Sequence, residues 1–154
     1  MLKFPAPEGV FAFPRKVIPD ERGRVMEILR NDSPEFLKFG QVYMTSIMPG
    51  VVKGWHYHKI QTDHVACVSG MIKLVLYEQK GEGQGRPCIF CIGEHNPGLV
   101  TIPPGIWHGW KCISEREAIV VCVASEPYNY DSPDEYRMPP HGGEIPYSWE
   151  GRDG

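Results

Sequence analysis

The sequence predicts an all-β fold of the sandwich or barrel type, completed by an irregular C-terminal tail. Fifteen prolines and seventeen glycines divide the chain into short runs rich in β-branched and aromatic residues, a pattern typical of such folds. The 42% hydrophobic and 23% charged content is ordinary for a soluble globular protein. The 154 residues are most simply one domain, residues 1–154, large enough to bury a core over about residues 10–125.

The runs that we expect to form strands are bounded by glycine, proline or other turn residues. They cover residues 10–18, 24–30, 41–48, 51–58, 64–69, 71–77, 87–92, 98–102, 107–112 and 117–124. Gly70 marks a turn between two of them, and the glycine-rich segment 81–85 marks another after Tyr77. The one helical signal lies at residues 32–37, where the candidate N-cap Asp32 precedes an early proline, and it predicts a single short turn.

The tail, residues 126–154, lacks the period of a strand series but is rich in aromatic residues. Its tyrosines are Tyr128, Tyr130, Tyr136 and Tyr147. Because disordered segments are usually poor in aromatic residues, we expect the tail to wrap irregularly over the core.

The composition argues against several classes of partner. A formal net charge of -3 gives no electrostatic reason to expect binding to nucleic acid or to an anionic membrane surface. No run approaches the roughly 18 apolar residues of a membrane-spanning helix, and the N-terminal residues lack the apolar region of a signal peptide. We therefore expect a cytoplasmic protein that binds neither nucleic acid nor membrane.

The five cysteines predict reduced thiols, because an odd number does not suit a disulfide framework. Cys88 and Cys91 form a single C-x-x-C pair with no second pair. Residues three apart fall on opposite faces of a strand, so the pair predicts two ordinary strand cysteines rather than a zinc site.

Two histidines on one predicted strand are the strongest functional signal in the chain. Side chains two apart in a strand share a face, so His56 and His58 point one way while Trp55 and Tyr57 point the other. Imidazole titrates near neutral pH and also ligates metals. The pair therefore predicts either a proton-transfer site or a metal site, whereas the nearby His64 is expected at the surface or at an interface.

The spacing around this pair resembles the first motif of the cupin superfamily, G-x5-H-x-H-x(3,4)-E-x6-G. The motif is met by Gly50, His56, His58 and Gly70, with Asp63 where glutamate is usual. The resemblance implies a cupin jelly roll, the double-stranded β-helix.

The second cupin motif, G-x5-P-x-G-x2-H-x3-N, is met by Pro103, Gly105 and His108. The positions at which metal-binding cupins hold their ion are His56, His58, Asp63 and His108. The resemblance therefore leaves open a metal-dependent enzyme that uses these four side chains.

Four segments resemble the dTDP-4-dehydrorhamnose 3,5-epimerases, a branch of the cupins that acts on sugar nucleotides. Residues 20–27 are similar to the family's D-x-R-G-x-F-x-E opening, and residues 50–57 to its G-V-L-R-G-L-H-Y segment. Residues 102–110 match its I-P-x-G-x-x-H-G-F, and residues 145–149 match its closing I-x-W. The segments run in the family's order across about 130 residues.

The resemblance implies a homodimer that acts without a cofactor on a 4-keto-6-deoxy sugar joined to a nucleoside diphosphate, in the synthesis of surface polysaccharide. The C4 ketone acidifies the protons on C3 and C5, because the resulting charge spreads onto oxygen as an enolate. It implies that His56 is the base and that Arg22 and Lys53 bind the diphosphate. Glu27 either orients His56 or lines a strand.

Three of the family's proton-handling positions differ in this chain. The family's lysine aligns with Asp63, its acidic tyrosine falls near Cys122, and the aspartate that pairs with the base falls around residues 141–142. Tyr128 or Tyr130, both in the tail, is our candidate for the acid. These differences leave open a binding-only cupin that keeps the sugar pocket without catalysis.

His58 indicates a second reaction. The epimerases usually carry glutamine at this position, whereas dTDP-sugar 3,4-ketoisomerases carry H-x-H-K, as His56, His58 and Lys59 do here. The resemblance then implies that two imidazoles shuttle a proton between C3 and the oxygens. Asp63 and His108 are expected to line the substrate pocket, with His108 either shaping the site or packing structurally.

Overall fold

The computed structural model describes residues 6–80 and 83–151 as an all-β protein. Its strands are β1 (Phe11–Pro14), β2 (Val17–Asp20), β3 (Gly23–Met26), β4 (Gln41–Ile47), β5 (Val52–Tyr57), β6 (Asp63–Ser69), β7 (Met71–Tyr77), β8 (Gln79–Lys80), β9 (Gly83–Gln84), β10 (Cys88–Gly93), β11 (Gly98–Ile102), β12 (Trp107–Cys112), β13 (Ala118–Ala124) and β14 (Tyr136–Arg137).

Most of these strands form two antiparallel sheets that pack face to face. Sheet I has the strand order β1-β11-β6-β13-β4, and sheet II has the order β10-β7-β12-β5-β14. Two further pairs, β2 with β3 and β8 with β9, form separate two-stranded sheets. The two-layer arrangement confirms the predicted cupin jelly roll.

The core lies between the two sheets, because alternate residues of each strand point inward. On β13 the inward residues Ala118, Val120, Cys122 and Ala124 are fully buried, while the residues between them are half-buried. Inward residues of β7 pack against the same core. A slip of one residue would turn this whole set outward, so the burial specifies the register of the sheets.

The strand predictions from residue 41 onward agree with the structure to within one residue, but the N-terminal region differs. The predicted strand 10–18 is two strands, β1 and β2. The chain leaves sheet I after Pro14, and the Arg15 amide donates to the Pro97 carbonyl over 2.9 Å. The hairpin of β2 and β3 that follows, residues 17–26, is named here the arm.

The predicted strand 24–30 is also shorter than expected, because β3 ends at Met26. The next residues turn back toward the body, where the Arg15 side chain donates to the Ile28 carbonyl over 2.8 Å. The short turn predicted at residues 32–37 is confirmed: the Phe36 amide donates to the Ser33 carbonyl over 3.0 Å.

The tail covers the outer face of sheet II, whereas the sequence predicts only that it wraps irregularly over the core. Trp55, Val75 and Tyr77 point outward from the sheet and form a buried cluster with Ile145 and Trp149 from the tail. The ring centroids of Trp55 and Trp149 lie 4.8 Å apart. Aromatic burial of this kind holds an irregular segment in place without regular secondary structure.

All five cysteines are free, and Cys88 is buried while Cys91 is exposed, on opposite faces of β10 as predicted. In the described residues, no helix is long and apolar enough to cross a membrane.

Candidate active site

A cluster of polar side chains lies between the sheets, where β5, β6 and β12 approach one another. His56 lies on β5, His58 follows that strand, Asp63 begins β6 and His108 lies on β12. His56 and His108 are cross-strand partners with ring centroids 6.0 Å apart, and the ring of His58 is 5.5 Å from that of His108. Both histidines of the H-x-H pair therefore face the interior, as the strand alternation predicts.

A β-bulge in β5 adds Lys53 to the same interior face. His108 pairs with His56 and Trp110 pairs with Lys53, so three steps along β5 match two steps along β12. Residues three apart in a regular strand face opposite sides, and the bulge removes that alternation. The Lys53 ammonium donates to the Thr45 hydroxyl of sheet I over 2.7 Å, which places the charge between the sheets.

Asp63 joins two of the histidines. Its carboxylate lies 3.3 Å from Nε2 of His58 and 3.6 Å from Nε2 of His108, and it accepts a 2.7 Å hydrogen bond from Gln61. One ligand atom from each of His58, Asp63 and His108 lies within 4.8 Å of the others, close enough to hold a metal ion. Among the described residues, this group of three does not include His56, the fourth residue of the predicted metal set.

Burial opposes charge throughout this cluster, and the residues respond differently. Burial lowers the pKa of His108 to about 4, so this imidazole is neutral at pH 7. Burial also opposes the charged forms of His58 and Asp63, but their mutual hydrogen bond and attraction outweigh it. The pKa of His58 is therefore raised and that of Asp63 is lowered, which favours an imidazolium paired with a carboxylate.

His56 is held by a carboxylate from the tail. Its Nδ1 lies 3.1 Å from Oε1 of Glu135, and the same oxygen accepts a 2.8 Å hydrogen bond from Arg137. Burial lowers the pKa of His56 while Glu135 opposes that change. A neutral His56 donates from Nδ1 to Glu135 and directs the lone pair of Nε2 away from it, the form a general base needs.

The pairing of β14 with β5 brings Glu135 to this position. Arg137 is the cross-strand partner of His56, and Tyr136 that of Tyr57. The family's partner aspartate falls around residues 141–142, where this chain has no carboxylate and where both residues are exposed beyond β14. Glu135 provides a carboxylate to His56 instead. The sequence pattern that could have indicated Glu135 is the acidic pair at residues 134–135, directly before Tyr136.

Asp134, which the sequence analysis also missed, holds the neighbouring loop. Its carboxylate accepts hydrogen bonds from the amides of Lys59, Ile60 and Gln61 over 2.9, 2.8 and 3.0 Å. Its backbone carbonyl accepts a hydrogen bond from Nδ1 of His58. Two consecutive tail residues therefore position both histidines of the H-x-H pair.

Two residues predicted to bind substrate are not brought to the cluster within one protomer. The Arg22 side chain is 84% exposed and binds Asp20 in the arm. Glu27 is also exposed and pairs with Arg30 over 3.1 Å, so within the protomer it does not contact His56, whose carboxylate partner is Glu135. β3 ends at Met26, so Glu27 lies outside the strand and strand alternation does not direct its side chain inward.

The two tail tyrosines predicted to supply the acid lie at the surface. Tyr128 and Tyr130 stack edge to face with ring centroids 4.9 Å apart, and Tyr130 is 87% exposed. Within the described part of the chain, no ring contact or hydrogen bond joins either one to a histidine. Their catalytic role stays a prediction.

His64 differs from its predicted surface position. It is fully buried, and its Nδ1 lies 2.9 Å from the Thr101 hydroxyl on the neighbouring strand. The side chain does point away from Asp63, but residues before β4 cover that face of sheet I. The charge of Glu35, whose side chain is 2% exposed, acts on the ring there.

A jelly roll that directs a histidine pair, a third histidine and a carboxylate between its sheets defines the cupin class. Comparison with known proteins then narrows the class. Residues 18–136 match the family model described as the polysaccharide biosynthesis C-terminal domain. This match spans more than half of the chain, so the protein belongs to that family.

Relatives of similar length agree with this assignment. A probable low-salt glycan biosynthesis epimerase, Agl13 of Haloferax volcanii, is 36% identical over 80% of this chain and 82% of its own. The spore coat polysaccharide biosynthesis protein SpsL of Bacillus subtilis is 33% identical over 84% and 87%. These matches confirm the expected resemblance to sugar-nucleotide epimerases and isomerases of polysaccharide biosynthesis.

A solved structure shows the same fold over almost the whole chain. The dTDP sugar isomerase of Desulfovibrio desulfuricans G20 is 33% identical and superimposes with a TM-score of 0.87, covering 95% of this chain and 94% of that one.

Proposed function

We propose that this protein is a cytoplasmic isomerase of a nucleotide-linked 4-keto-6-deoxy sugar, and that it moves a proton on the carbon beside the ketone. The observation that carries the proposal is the half-buried His56–Glu135 pair, in which a carboxylate fixes one imidazole nitrogen and leaves the other for substrate. The relatives named as an epimerase and as a dTDP sugar isomerase support the same class of reaction.

The charges around His56 suit an enolate intermediate. When His56 removes the proton from C3, negative charge develops on the C4 oxygen. Lys53 and the protonated form of His58 lie on the same interior face as His56, so either can stabilise that oxygen. Both N–H groups of the His58 imidazolium are bound, Nε2 to Asp63 and Nδ1 to the Asp134 carbonyl, so His58 acts through its charge. The H-x-H-K sequence shared with the 3,4-ketoisomerases supports ketoisomerisation over simple inversion at C3 and C5.

Deuterium incorporation tests this proposal. A dTDP-4-keto-6-deoxyhexose is incubated with the protein in heavy water and followed by NMR. Deuterium at C3 with movement of the ketone supports the ketoisomerase, and deuterium at C3 and C5 supports the epimerase. The absence of exchange from a substrate that binds would contradict catalysis and favour a binding-only cupin.

The His56→Ala variant is expected to lose exchange by at least about 100-fold, the usual contribution of a general base. The matched control is His95→Ala, which removes an exposed histidine in the turn after β10. Exchange at the wild-type rate in His56→Ala, with an unchanged melting temperature, would remove His56 from the role of base.

The arm supports a homodimer in which Arg22 reaches the partner's substrate. β2 and β3 pair only with each other in the described protomer, and the arm exposes Ile18 and Val25 at 54% and 63%. A cationic residue at the tip of a hairpin that exposes apolar side chains suits a diphosphate bound in another subunit. Lys53, which is committed to the interior, then acts at the sugar rather than on an exposed diphosphate.

A second candidate function is a metal-dependent isomerase, which the grouping of His58, Asp63 and His108 favours. Two imidazoles and a carboxylate are a donor set that suits zinc and other divalent first-row metals. A divalent cation bound there would polarise the ketone oxygen. Elemental analysis of untagged protein is expected to find near-stoichiometric metal that His108→Gln loses, whereas trace metal and chelator-resistant exchange would contradict this candidate.

A further inference from the structure

We infer that Tyr43 is the acid that returns a proton to the sugar, acting from the inner face of sheet I toward His56 on the inner face of sheet II. This inference rests on the proposed isomerase function and names a catalytic residue that the H-x-H and second-histidine motifs do not contain.

The register of sheet I places the Tyr43 side chain inward. Tyr43 on β4 is the cross-strand partner of Cys122 on β13. Cys122 is fully buried in the core between the sheets, and its thiol influences the pKa of the Tyr43 hydroxyl. Cross-strand partners share a face, so the hydroxyl lies on the inner side although the residue as a whole is 39% exposed.

The inner faces of β4 and β5 meet beside this hydroxyl. Thr45 lies two residues after Tyr43 and therefore on the same face of β4. Its hydroxyl accepts the 2.7 Å hydrogen bond from Lys53, three residues before His56 and inward because of the bulge. The hydrogen bond between Lys53 and Thr45 thus joins the two sheets. Lys53 lies on the strand of His56 and Thr45 on the strand of Tyr43, the two proposed proton-transfer groups.

The surroundings of Tyr43 keep its hydroxyl protonated. Burial raises its pKa, and the nearby thiol of Cys122 and the charges of Asp63 and Glu135 raise it further. The charge of Glu135 acts on the Tyr43 hydroxyl, and Glu135 is also the residue that orients His56. An acid must carry its proton when the enolate forms, and this environment maintains that state.

The resulting step balances without any co-reactant. His56 takes the proton from C3 and the C–H electron pair moves into the enolate. The O–H bond of Tyr43 then breaks as the enolate electrons form a new C–H bond. For inversion this bond forms at C3 on the other face and the C4 carbonyl is restored; for ketoisomerisation it forms at C4, after the proton of the C3 hydroxyl has moved to the C4 oxygen and as the C3 carbonyl forms. Proton exchange with solvent then returns the His56 imidazolium and the Tyr43 phenolate to their starting forms.

The test compares two readouts in Tyr43→Phe: deuterium exchange at C3 and the formation of the isomerised sugar. We expect exchange to stay within about threefold of wild type while product falls by about 100-fold or more. The matched control is Tyr147→Phe, which removes a phenol from the outer face of sheet II and is expected to change neither.

Each alternative result overturns the inference. Wild-type product formation in Tyr43→Phe would remove Tyr43 from catalysis, and loss of product in Tyr128→Phe or Tyr130→Phe instead would assign the acid to the tail. Loss of both exchange and product, with unchanged melting and dTDP binding, would give Tyr43 a role in orienting the substrate. A wild-type protein that binds the keto sugar without exchange would refute the isomerase function itself.

Replacement of Tyr43 by 3-fluorotyrosine provides a second measurement that keeps the ring and the hydroxyl. The fluorinated phenol still carries its proton at neutral pH, so product formation is expected to return to within about tenfold of wild type, unlike in Tyr43→Phe. Product formation as low as in Tyr43→Phe would show that this hydroxyl does not act as the acid.

Discussion

His56 depends on a partner that lies 79 residues away in the sequence. Burial lowers the pKa of this imidazole, and the hydrogen bond with Glu135 acts in the opposite direction. Arg137 moderates that effect, because it binds the same carboxylate and its own charge also lowers the pKa of His56. The net result is an imidazole that is neutral at pH 7 and oriented by a charged acceptor.

We predict that Glu135→Gln slows exchange and shifts its pH dependence. The base is active when neutral, so wild-type kcat/KM is expected to fall as pH drops through the lowered pKa of His56, below 6.5. Without the carboxylate that pKa falls further, so the acid limb moves to lower pH. The plateau should fall by roughly 100-fold, because the correct tautomer is no longer held.

The control for this prediction is Glu144→Gln, which removes an exposed tail carboxylate. Its pH profile should match that of the wild type. An acid limb that moved to higher pH in Glu135→Gln, or a plateau that stayed the same, would show that Glu135 does not tune His56.

Local spacing explains which site residues could be predicted. His56, His58 and Asp63 lie within eight positions of one another, and the strand period is enough to place the two histidines on one face. Glu135 required knowledge that β14 pairs with β5, which no local pattern contains. The inward direction of Tyr43 depends on the register of β4 against β13, so among the tyrosines the sequence alone indicates only Tyr128 and Tyr130 as candidates for the acid.

At the scale of secondary-structure elements, the tail holds the strand and loop of the candidate site in position. The aromatic cluster around Trp149 fixes it to sheet II, and β14 adds it to the edge of that sheet. Asp134 then binds three consecutive amides of the loop after His58. An irregular segment therefore positions the catalytic strand with side-chain hydrogen bonds rather than with a long strand pairing.

We predict that Asp134→Ala lowers the free energy of unfolding by about 2 kcal/mol, because three amides lose a charged acceptor. Exchange activity should also fall, since the loop that follows His58 loses its support. Urea unfolding and the deuterium assay measure the two effects. The control Asp131→Ala removes an exposed carboxylate in the same tail and should leave stability and activity unchanged. An equal loss in Asp131→Ala would mean that the effect is not specific to the hydrogen bonds of Asp134.

The elements that the sequence predicted well are those with strong hydrophobic alternation. β13 is an example, because its inward residues are all buried. The bulge in β5 was not predicted, since it depends on how Lys53 and His56 pair with β12 rather than on their own neighbours. The arm was mistaken for extensions of longer strands because its apolar residues have strand character but no core to face.

At the scale of the whole molecule, the two layers divide the proposed chemistry between them. Sheet II provides the base His56, and sheet I provides Tyr43 and Asp63. A sugar ring between the sheets would therefore meet a base on one side and an acid on the other. Proton removal and return from opposite sides follow from this arrangement without a conformational change.

The proposed homodimer predicts that two inactive variants restore activity in one another. Arg22→Ala loses the exposed arm cation and His56→Ala loses the base, so each homodimer should have little activity. In a purified heterodimer of the two, one pocket combines an intact His56 with the partner subunit's intact arm. If the arm serves the partner's pocket, one of the two pockets is restored and activity returns to about half of wild type. Differently tagged, co-expressed subunits allow this measurement, with light scattering to establish the mass. An arm that serves its own pocket gives no recovery, and a monomeric mass would exclude the dimer altogether.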